Sequence, residues 1–177
     1  MDEQGTIDRV KARQGLISKI QNLLLGGYAV KEDLRELDKM LRDSYYGDLR
    51  EFRHQWERAY LESLELGQSA LGRHFKRVIQ ALDRVSEQIH RADYGYAGLM
   101  DRKGHIREDE LASAFDYDKE LSGDVERLGE GVEKVHSSVM EGAWDAVRAQ
   151  IDAVGDVLLE IEKSWKGRES RFRSLEV

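Results

Sequence analysis

Apolar residues recur at steps of three and four along most of the chain, which is the spacing of one face of an α-helix. The first run of this kind starts at Ile7, directly after Thr6, a residue type that caps helix N-termini. It stops before Gly26 and Gly27, and a glycine can supply the left-handed residue that closes a helix. We therefore predict a first helix over residues 6–25.

A second run covers residues 31–91 and keeps its phase throughout. Its apolar positions are Leu34, Leu37, Leu41, Tyr45, Leu49, Phe52, Trp56, Tyr60, Leu64, Leu71, Phe75, Val78, Leu82, Val85 and Ile89. The step from Leu64 to Leu71 is one heptad, whereas a loop inserted at random would shift the stripe. The pattern predicts one helix over 31–91, with 44–47 and Gly67 as the points where it could kink or be interrupted.

Residues 92–106 contain three glycines and no helical stripe, so they predict a turn that reverses the chain. A third run covers 107–167, with acidic residues in its first turn and cations near its end, as the helix dipole favours. Its weak points are 122–123 and Gly142. Because the two long runs match in length, we predict an all-α fold. It is an elongated, coiled-coil-like antiparallel hairpin with the short first helix packed on its open end.

This single elongated domain, residues 1–177, has long apolar stripes and little width. Two helices cannot hide all of that surface, so self-association is expected. The simplest assembly is a homodimer in which two hairpins form a four-helix bundle.

Composition excludes several kinds of chemistry. The chain has no proline and 36% charged residues, which favours solvated helix surface over turns and strands. It also has no cysteine, which removes disulfides and thiolate metal sites and fits a reducing compartment. No apolar run approaches the roughly 20 residues that span a bilayer, so we expect a cytoplasmic protein with no membrane contact.

Charge disfavours nucleic acid as a partner, because the net charge is −7 and the pI is about 5.3. Residues 48–92 carry eight Lys or Arg against seven Asp or Glu, whereas residues 107–165 carry six against sixteen. A nucleic-acid-associated regulator would need a segregated basic patch, such as 73–77 or the tail 163–173. Phe75 lies in the apolar stripe, so its basic neighbours are predicted to form a solvated flank facing the acidic third run.

Two patterns resemble metal sites without meeting their requirements. Glu-x-x-His triplets of the kind used in di-iron bundles occur as Glu51/His54, Glu87/His90 and Glu133/His136. Helical geometry turns the three glutamates away from the apolar stripe and towards solvent. Residues 101–111 resemble the second half of a calcium-binding loop, but the first half lacks carboxylates. We therefore predict no metal site and no cofactor.

No phosphate-binding loop, nucleophile elbow or other catalytic motif is present, so enzyme activity is not expected. The turn combines aromatic, flexible apolar and cationic residues, a mixture common at protein interfaces. These residues are Tyr94, Tyr96, Leu99, Met100, Arg102 and Lys103. They predict either a partner-binding tip or a plug for the end of the core.

The favoured function is a non-enzymatic structural or interaction protein. It would be a self-associating helical scaffold or adaptor that presents its hairpin tip or its ends to a protein partner. Two alternatives remain from the sequence. One is a helical bundle that binds a metal or a small ligand in its core, and the other is the nucleic-acid-associated regulator.

Overall fold

The computed structural model describes residues 3–27, 30–92, 95–96 and 108–175, and nearly all of them are helical. The helices are α1 (Glu3–Leu25), α2 (Lys31–Glu65), α3 (Gly72–His90), α4 (Glu108–Met140) and α5 (Trp144–Leu175), with a 3₁₀ turn at Ser69–Leu71. Since these residues include no strand, the predicted all-α class is confirmed.

Helices α2 to α5 form a four-helix bundle in which α2 packs against α3 and α4, and α5 packs against α4 and α3. The pairs α2/α3 and α4/α5 are antiparallel hairpins. Helices α2 and α4 run parallel, since Tyr45 contacts Asp118 and Phe52 lies against Gly129 further along both helices. Helices α3 and α5 also run parallel.

The long helices predicted over 31–91 and 107–167 are not continuous. The first segment folds back at Gly67 and the second at Gly142, and the sequence marks both glycines as possible interruptions. The structure is therefore a four-helix bundle rather than the predicted elongated hairpin. The other candidate interruptions, 44–47 and 122–123, lie inside α2 and α4. The unbroken phase across Gly67 was therefore a misleading signal.

Both reversals are closed by the same local geometry. Gly67 has a φ of +81°, a left-handed conformation that only glycine adopts without strain. Its N–H donates to the carbonyl of Leu64 at 3.0 Å, and the N–H of Gln68 donates to the carbonyl of Ser63 at 2.8 Å. This pair of bonds satisfies the last carbonyls of the helix. Gly142, with a φ of +70°, ends α4 with the corresponding pair of bonds.

Helix α1 lies along the groove between α2 and α4, rather than over the open end of a hairpin. Its apolar side chains Ile17 and Ile20 are buried there. The helix begins at Glu3, earlier than the predicted cap at Thr6, and ends where predicted, with Gly27 at a φ of +70°.

The apolar stripes meet in one core inside a single chain. Trp56 is buried, as its place in the stripe predicts, and its indole N–H donates to the carbonyl of Phe75 at 3.1 Å. Trp165 of α5 is buried as well. Most of the apolar surface of the stripes is therefore covered within one chain, although side chains such as Leu61 and Leu159 stay exposed. The homodimer stays a prediction. None of the described helices has both the length and the apolar character needed to cross a bilayer.

Glu162 on α5 provides a test of the contact between α3 and α5. It accepts hydrogen bonds from Lys166 at 2.7 Å and from Arg84 of α3 at 3.0 Å, and these two cations lower its pKa to about 2. A lowered carboxyl pKa stabilises the fold above the ordinary value of 4.5, and that stabilisation is lost as the pH falls towards 2. Glu162→Gln should therefore cost about 1 kcal/mol at pH 7, after screening by solvent.

Urea denaturation of both proteins at pH 7 and at pH 2.5 checks this expectation. The difference in unfolding free energy should shrink at the lower pH, and a constant difference would contradict the assignment. Glu130→Gln is the matched control, because Glu130 is exposed on α4 and makes no ion pair within the described residues.

Candidate functional site

Three charged side chains are buried together near the end of the bundle where α2 and α4 begin and α5 finishes. Asp38 of α2 is 2% exposed, Asp118 of α4 is fully buried and Arg168 of α5 is 1% exposed. Each takes the place of an apolar residue in its stripe: Asp38 follows the buried Leu34 by four positions, and Arg168 follows the buried Trp165 by three. We call these three residues the ion cluster.

Arg168 joins the two carboxylates. Its Nε donates to Oδ1 of Asp118 at 2.6 Å, and its Nη2 donates to Oδ1 of Asp38 at 2.6 Å. One turn along α2, Arg42 donates from its Nε to the other oxygen of Asp38 at 3.0 Å. Two carboxylates and two guanidinium groups therefore leave the group with no net charge, as burial requires.

Aromatic rings surround the buried guanidinium. The Cζ atom of Arg168 lies 4.7 Å from the ring centre of Phe172, 5.0 Å from that of Trp165 and 5.6 Å from that of Tyr96. The negative faces of such rings stabilise a cation away from water. Within the described residues, Nη1 is the one guanidinium nitrogen of Arg168 that lacks a hydrogen-bond partner.

The ion cluster also holds the chain that follows α3. The hydroxyl of Tyr96 donates to Oδ2 of Asp118 at 2.6 Å, and Arg42 donates to the carbonyl of Ala92. Gly95 lies directly on Asp38, because a Cβ atom at this glycine would be 2.2 Å from the carboxylate. Residues 92 and 95–96 therefore close over the buried charges.

Burial determines the protonation states of these groups. It raises the pKa of Asp118, against the opposing effects of Arg168 and of the Tyr96 hydroxyl. Burial also raises the pKa of Tyr96 well above its ordinary value, and the charge of Asp118 adds to that shift. Although burial alone would lower the pKa of Arg168, the charges of Asp118 and Asp38 raise it, so the guanidinium stays a cation.

A second buried ion pair fastens α1 to the bundle. Arg13 of α1, 2% exposed, donates to Oδ2 of Asp48, and Arg9 donates to Oδ1 of the same carboxylate at 3.1 Å. The guanidinium of Arg13 lies over the ring of Tyr45 at 5.4 Å. Tyr45 in turn donates its hydroxyl to the main-chain carbonyl of Asp118 at 3.1 Å, so it links the two ion pairs.

The predicted tip residues are only partly described by the structure. Tyr96 is fully buried and bonded to Asp118, so its ring acts as a plug for the end of the core rather than as an exposed anchor. The other five lie outside the described residues: Tyr94, Leu99, Met100, Arg102 and Lys103.

The Glu-x-x-His patterns lie on the outside of the bundle, whereas residues 101–107 of the calcium-loop-like pattern lie outside the described residues. Glu51 accepts a hydrogen bond from Arg9, and the ring of His90 stacks on Tyr46 at 4.4 Å. No group of three or more metal-ligating side chains is found among residues 3–27, 30–92, 95–96 and 108–175. In the basic tail, Arg168 is enclosed in the ion cluster, whereas Lys163 and Lys166 are exposed.

The basic flank beside Phe75 faces the acidic helix only in part. Phe75 is fully buried, and its neighbours Arg73 and Lys76 line a pocket with Tyr60 and Leu64 of α2. Nδ1 of His74 lies 3.6 Å from a carboxylate oxygen of Asp152, and Arg84 binds Glu162 as described above.

Sequence reasoning missed the ion cluster, although a signal was present. In α4 the apolar stripe steps by six residues, from Phe115 to Leu121, whereas neighbouring positions on one face of a helix are three or four residues apart. The intermediate position on that face is Asp118. A charged residue at a stripe position predicts a buried partner of opposite charge.

Comparison of the chain with protein-family models, with curated proteins and with solved structures finds no match. Its function therefore has to be inferred from the geometry.

Proposed function

We propose that this protein is a non-enzymatic interaction protein, a helical scaffold that presents the connection between α3 and α4 to a protein partner. The observation that supports this function is the anchoring of the connection on the ion cluster. Tyr96, Gly95 and Ala92 are held by Asp118, Asp38 and Arg42 respectively.

The two other reversals of the bundle need no such device. The turns at Gly67 and Gly142 are closed by a glycine and main-chain hydrogen bonds alone. A buried ion network stabilises a fold no better than apolar side chains of the same volume, because its charges lose their hydration. Its advantage is a single fixed arrangement, which suits a segment that must be held in one place for recognition.

The composition of the connection agrees with this role. Between Tyr96 and α4 the chain carries Leu99, Met100, Arg102 and Lys103. Methionine and arginine are enriched at protein interfaces relative to the remaining surface, and a segment with both apolar and cationic residues suits a partner that has an apolar pocket and acidic residues.

Affinity purification with the full-length protein tests the proposal. A variant with Leu99→Ser, Met100→Ser, Arg102→Ser and Lys103→Ser keeps Gly95 and Tyr96, so the anchors remain. We expect at least tenfold less of any specific partner to be recovered with this variant, while its circular dichroism stays that of the wild type.

The matched control changes two apolar and two basic residues elsewhere on the surface. These residues are Leu61, Met140, Arg58 and Lys134, all exposed and each replaced by serine. Partner recovery should be unaffected by this control. Equal recovery with both variants would locate the interface outside the connection, and equal loss with both would indicate nonspecific adhesion.

A further inference from the structure

The groove between α3 and α5 is open along the surface, with a volume of about 450 Å³. Its lining includes the small residues Ala81 and Gly155, and a Cβ atom on Gly155 would meet no atom outside its own stretch of helix within 4 Å. Leu159 stands at its edge with 60% of its surface exposed. The other groove between parallel helices, that of α2 and α4, is covered by α1.

Cations line one wall of this groove and carboxylates line the other. Arg77 belongs to the α3 wall, and Asp152 and Asp156 belong to the α5 wall. Asp152 is 60% exposed although it lies near His74. Within the described part of the chain, Arg77 and Asp156 form no ion pair. The groove therefore offers one unpaired charge of each sign.

The register of the two helices is fixed by their cross-groove contacts. His74 pairs with Asp152, and Arg84 pairs with Glu162, so residues 78 positions apart lie at the same height along the bundle. By this register, Leu159 lies level with Ala81, and Asp156 lies one residue above the level of Arg77. The exposed side chain of Leu159 and the small side chain of Ala81 therefore lie at the same height along the bundle.

We infer that this face binds a second copy of the chain about a twofold axis parallel to the helices. Such an axis lies between the two copies and places α3 of one opposite α5 of the other, parallel and at the same height. Leu159 then packs on Ala81 of the partner subunit, and Arg77 meets Asp156 of the partner subunit. Both contacts occur twice, because the twofold axis brings the same surface of each copy into the interface.

Other occupants fit this face less well. A twofold axis perpendicular to the helices would set α3 against α3, so that the wall with Arg77 and Arg84 would face a second wall of cations. A foreign acidic helix would pair with the α3 wall and repel Asp152 and Asp156. An occupant that places carboxylates against the α3 wall and cations against the α5 wall complements both walls. A second copy of the chain has this arrangement of charges.

The size of the face indicates a dimer that dissociates on dilution. Helix α3 has 19 residues and is about 28 Å long, and two adjacent helices are about 20 Å across. The two copies together would cover about 1,100 Å², which is near the lower limit for specific interfaces. This dimer goes beyond the proposed function, since it uses the groove between α3 and α5 rather than the connection.

Sedimentation equilibrium between 1 and 500 µM tests the dimer. We expect a monomer–dimer equilibrium in the wild type and at least a tenfold weaker association in Leu159→Glu. Leu61→Glu is the control, because Leu61 is 52% exposed on α2 and outside the groove. A wild type that stays monomeric at 500 µM, or a dimer insensitive to Leu159→Glu, would overturn the inference.

Charge exchange tests the pairing across the axis. Arg77→Asp and Asp156→Arg should each weaken association severalfold, and the double variant should restore it, since it presents the same pair in reverse. Failure of the double variant to recover would contradict this pairing. The serine variant of the connection should dimerise normally, so failure of the proposed function and failure of this dimer are separate results.

Cross-linking gives the orientation, because the chain has no cysteine of its own. Mixing Ala81→Cys with Leu159→Cys under mild oxidation should produce a covalent dimer of one molecule of each variant. A faster reaction of Ala81→Cys with itself would place α3 against α3 and would rule out the parallel axis.

Discussion

Replacing Arg168 with methionine should lower the free energy of unfolding by about 3–5 kcal/mol, the cost of leaving buried charges without their partner. The substitution keeps an apolar stem of similar length but removes the cation from between Asp38 and Asp118. Thermal and urea denaturation measure the loss. The deficit should shrink as the pH falls from 7 towards 4. Burial raises the pKa of Asp118 and Arg168 opposes that rise. Without Arg168 the pKa rises further, so a proton bound at Asp118 stabilises the folded variant more than the wild type at lower pH.

Two further variants show whether the loss of stability comes from unpaired buried charge or from lost packing. Arg127→Met removes an exposed arginine that bridges Asp124 and Glu160, and it should leave stability unchanged. Adding Asp38→Asn and Asp118→Asn to the methionine variant should recover at least half of the loss, because the enclosed groups are then neutral. A triple variant no more stable than the single one would show that packing, rather than charge, accounts for the cost.

Gly95→Ala is expected to destabilise the protein by about 1–3 kcal/mol, the usual range for overpacking a filled site. The added Cβ atom would lie 2.2 Å from the carboxylate of Asp38, which Arg168 and Arg42 hold in place. Either this carboxylate or the main chain at residue 95 must move. Thermal denaturation would report the loss, and hydrogen exchange at residues 92 and 95–96 would report where it occurs.

Gly123→Ala is the control for this substitution. Gly123 lies inside α4, and no atom lies within 4 Å of the position that its Cβ would take. Alanine is the better helix former, so stability should rise by about 0.5–1 kcal/mol. If Gly95→Ala also stabilised the protein, the close approach to Asp38 would be wrong.

The helical character of the chain and the residues of its core could be predicted from periodicity alone. The stripe Leu41, Tyr45, Leu49, Phe52 and Trp56 is buried as the steps of three and four require. These positions depend only on local spacing, which the sequence records directly.

The number of helices could not be obtained from the same signal. Leu64 and Leu71 stay in phase by one heptad, yet the chain turns between them because Gly67 adopts a left-handed conformation. Periodicity describes which face is apolar, and it does not distinguish a helix that continues from one that turns and packs on the same core. The ability of glycine to adopt a positive φ indicated the turns at Gly67 and at Gly142 better than the spacing of apolar residues did.

The ion cluster was missed for a related reason. Arg168 lies among the cations near the end of α5, where the helix dipole already accounts for positive charge. Its burial depends on Asp38 and Asp118, which come from two other helices. The spacing of apolar residues within one helix contains no information on how separate helices pack together. Only the gap in the stripe at Asp118 pointed to it.

The bond from Arg168 to Asp38 joins residues 130 positions apart. Because of it, the last turns of α5 and the first turns of α2 cannot be assigned to separate folding units. A fragment that stops short of residue 168 would retain two enclosed carboxylates and lose the guanidinium they share. A fragment intended to fold by itself should therefore keep residues 38 and 168 together.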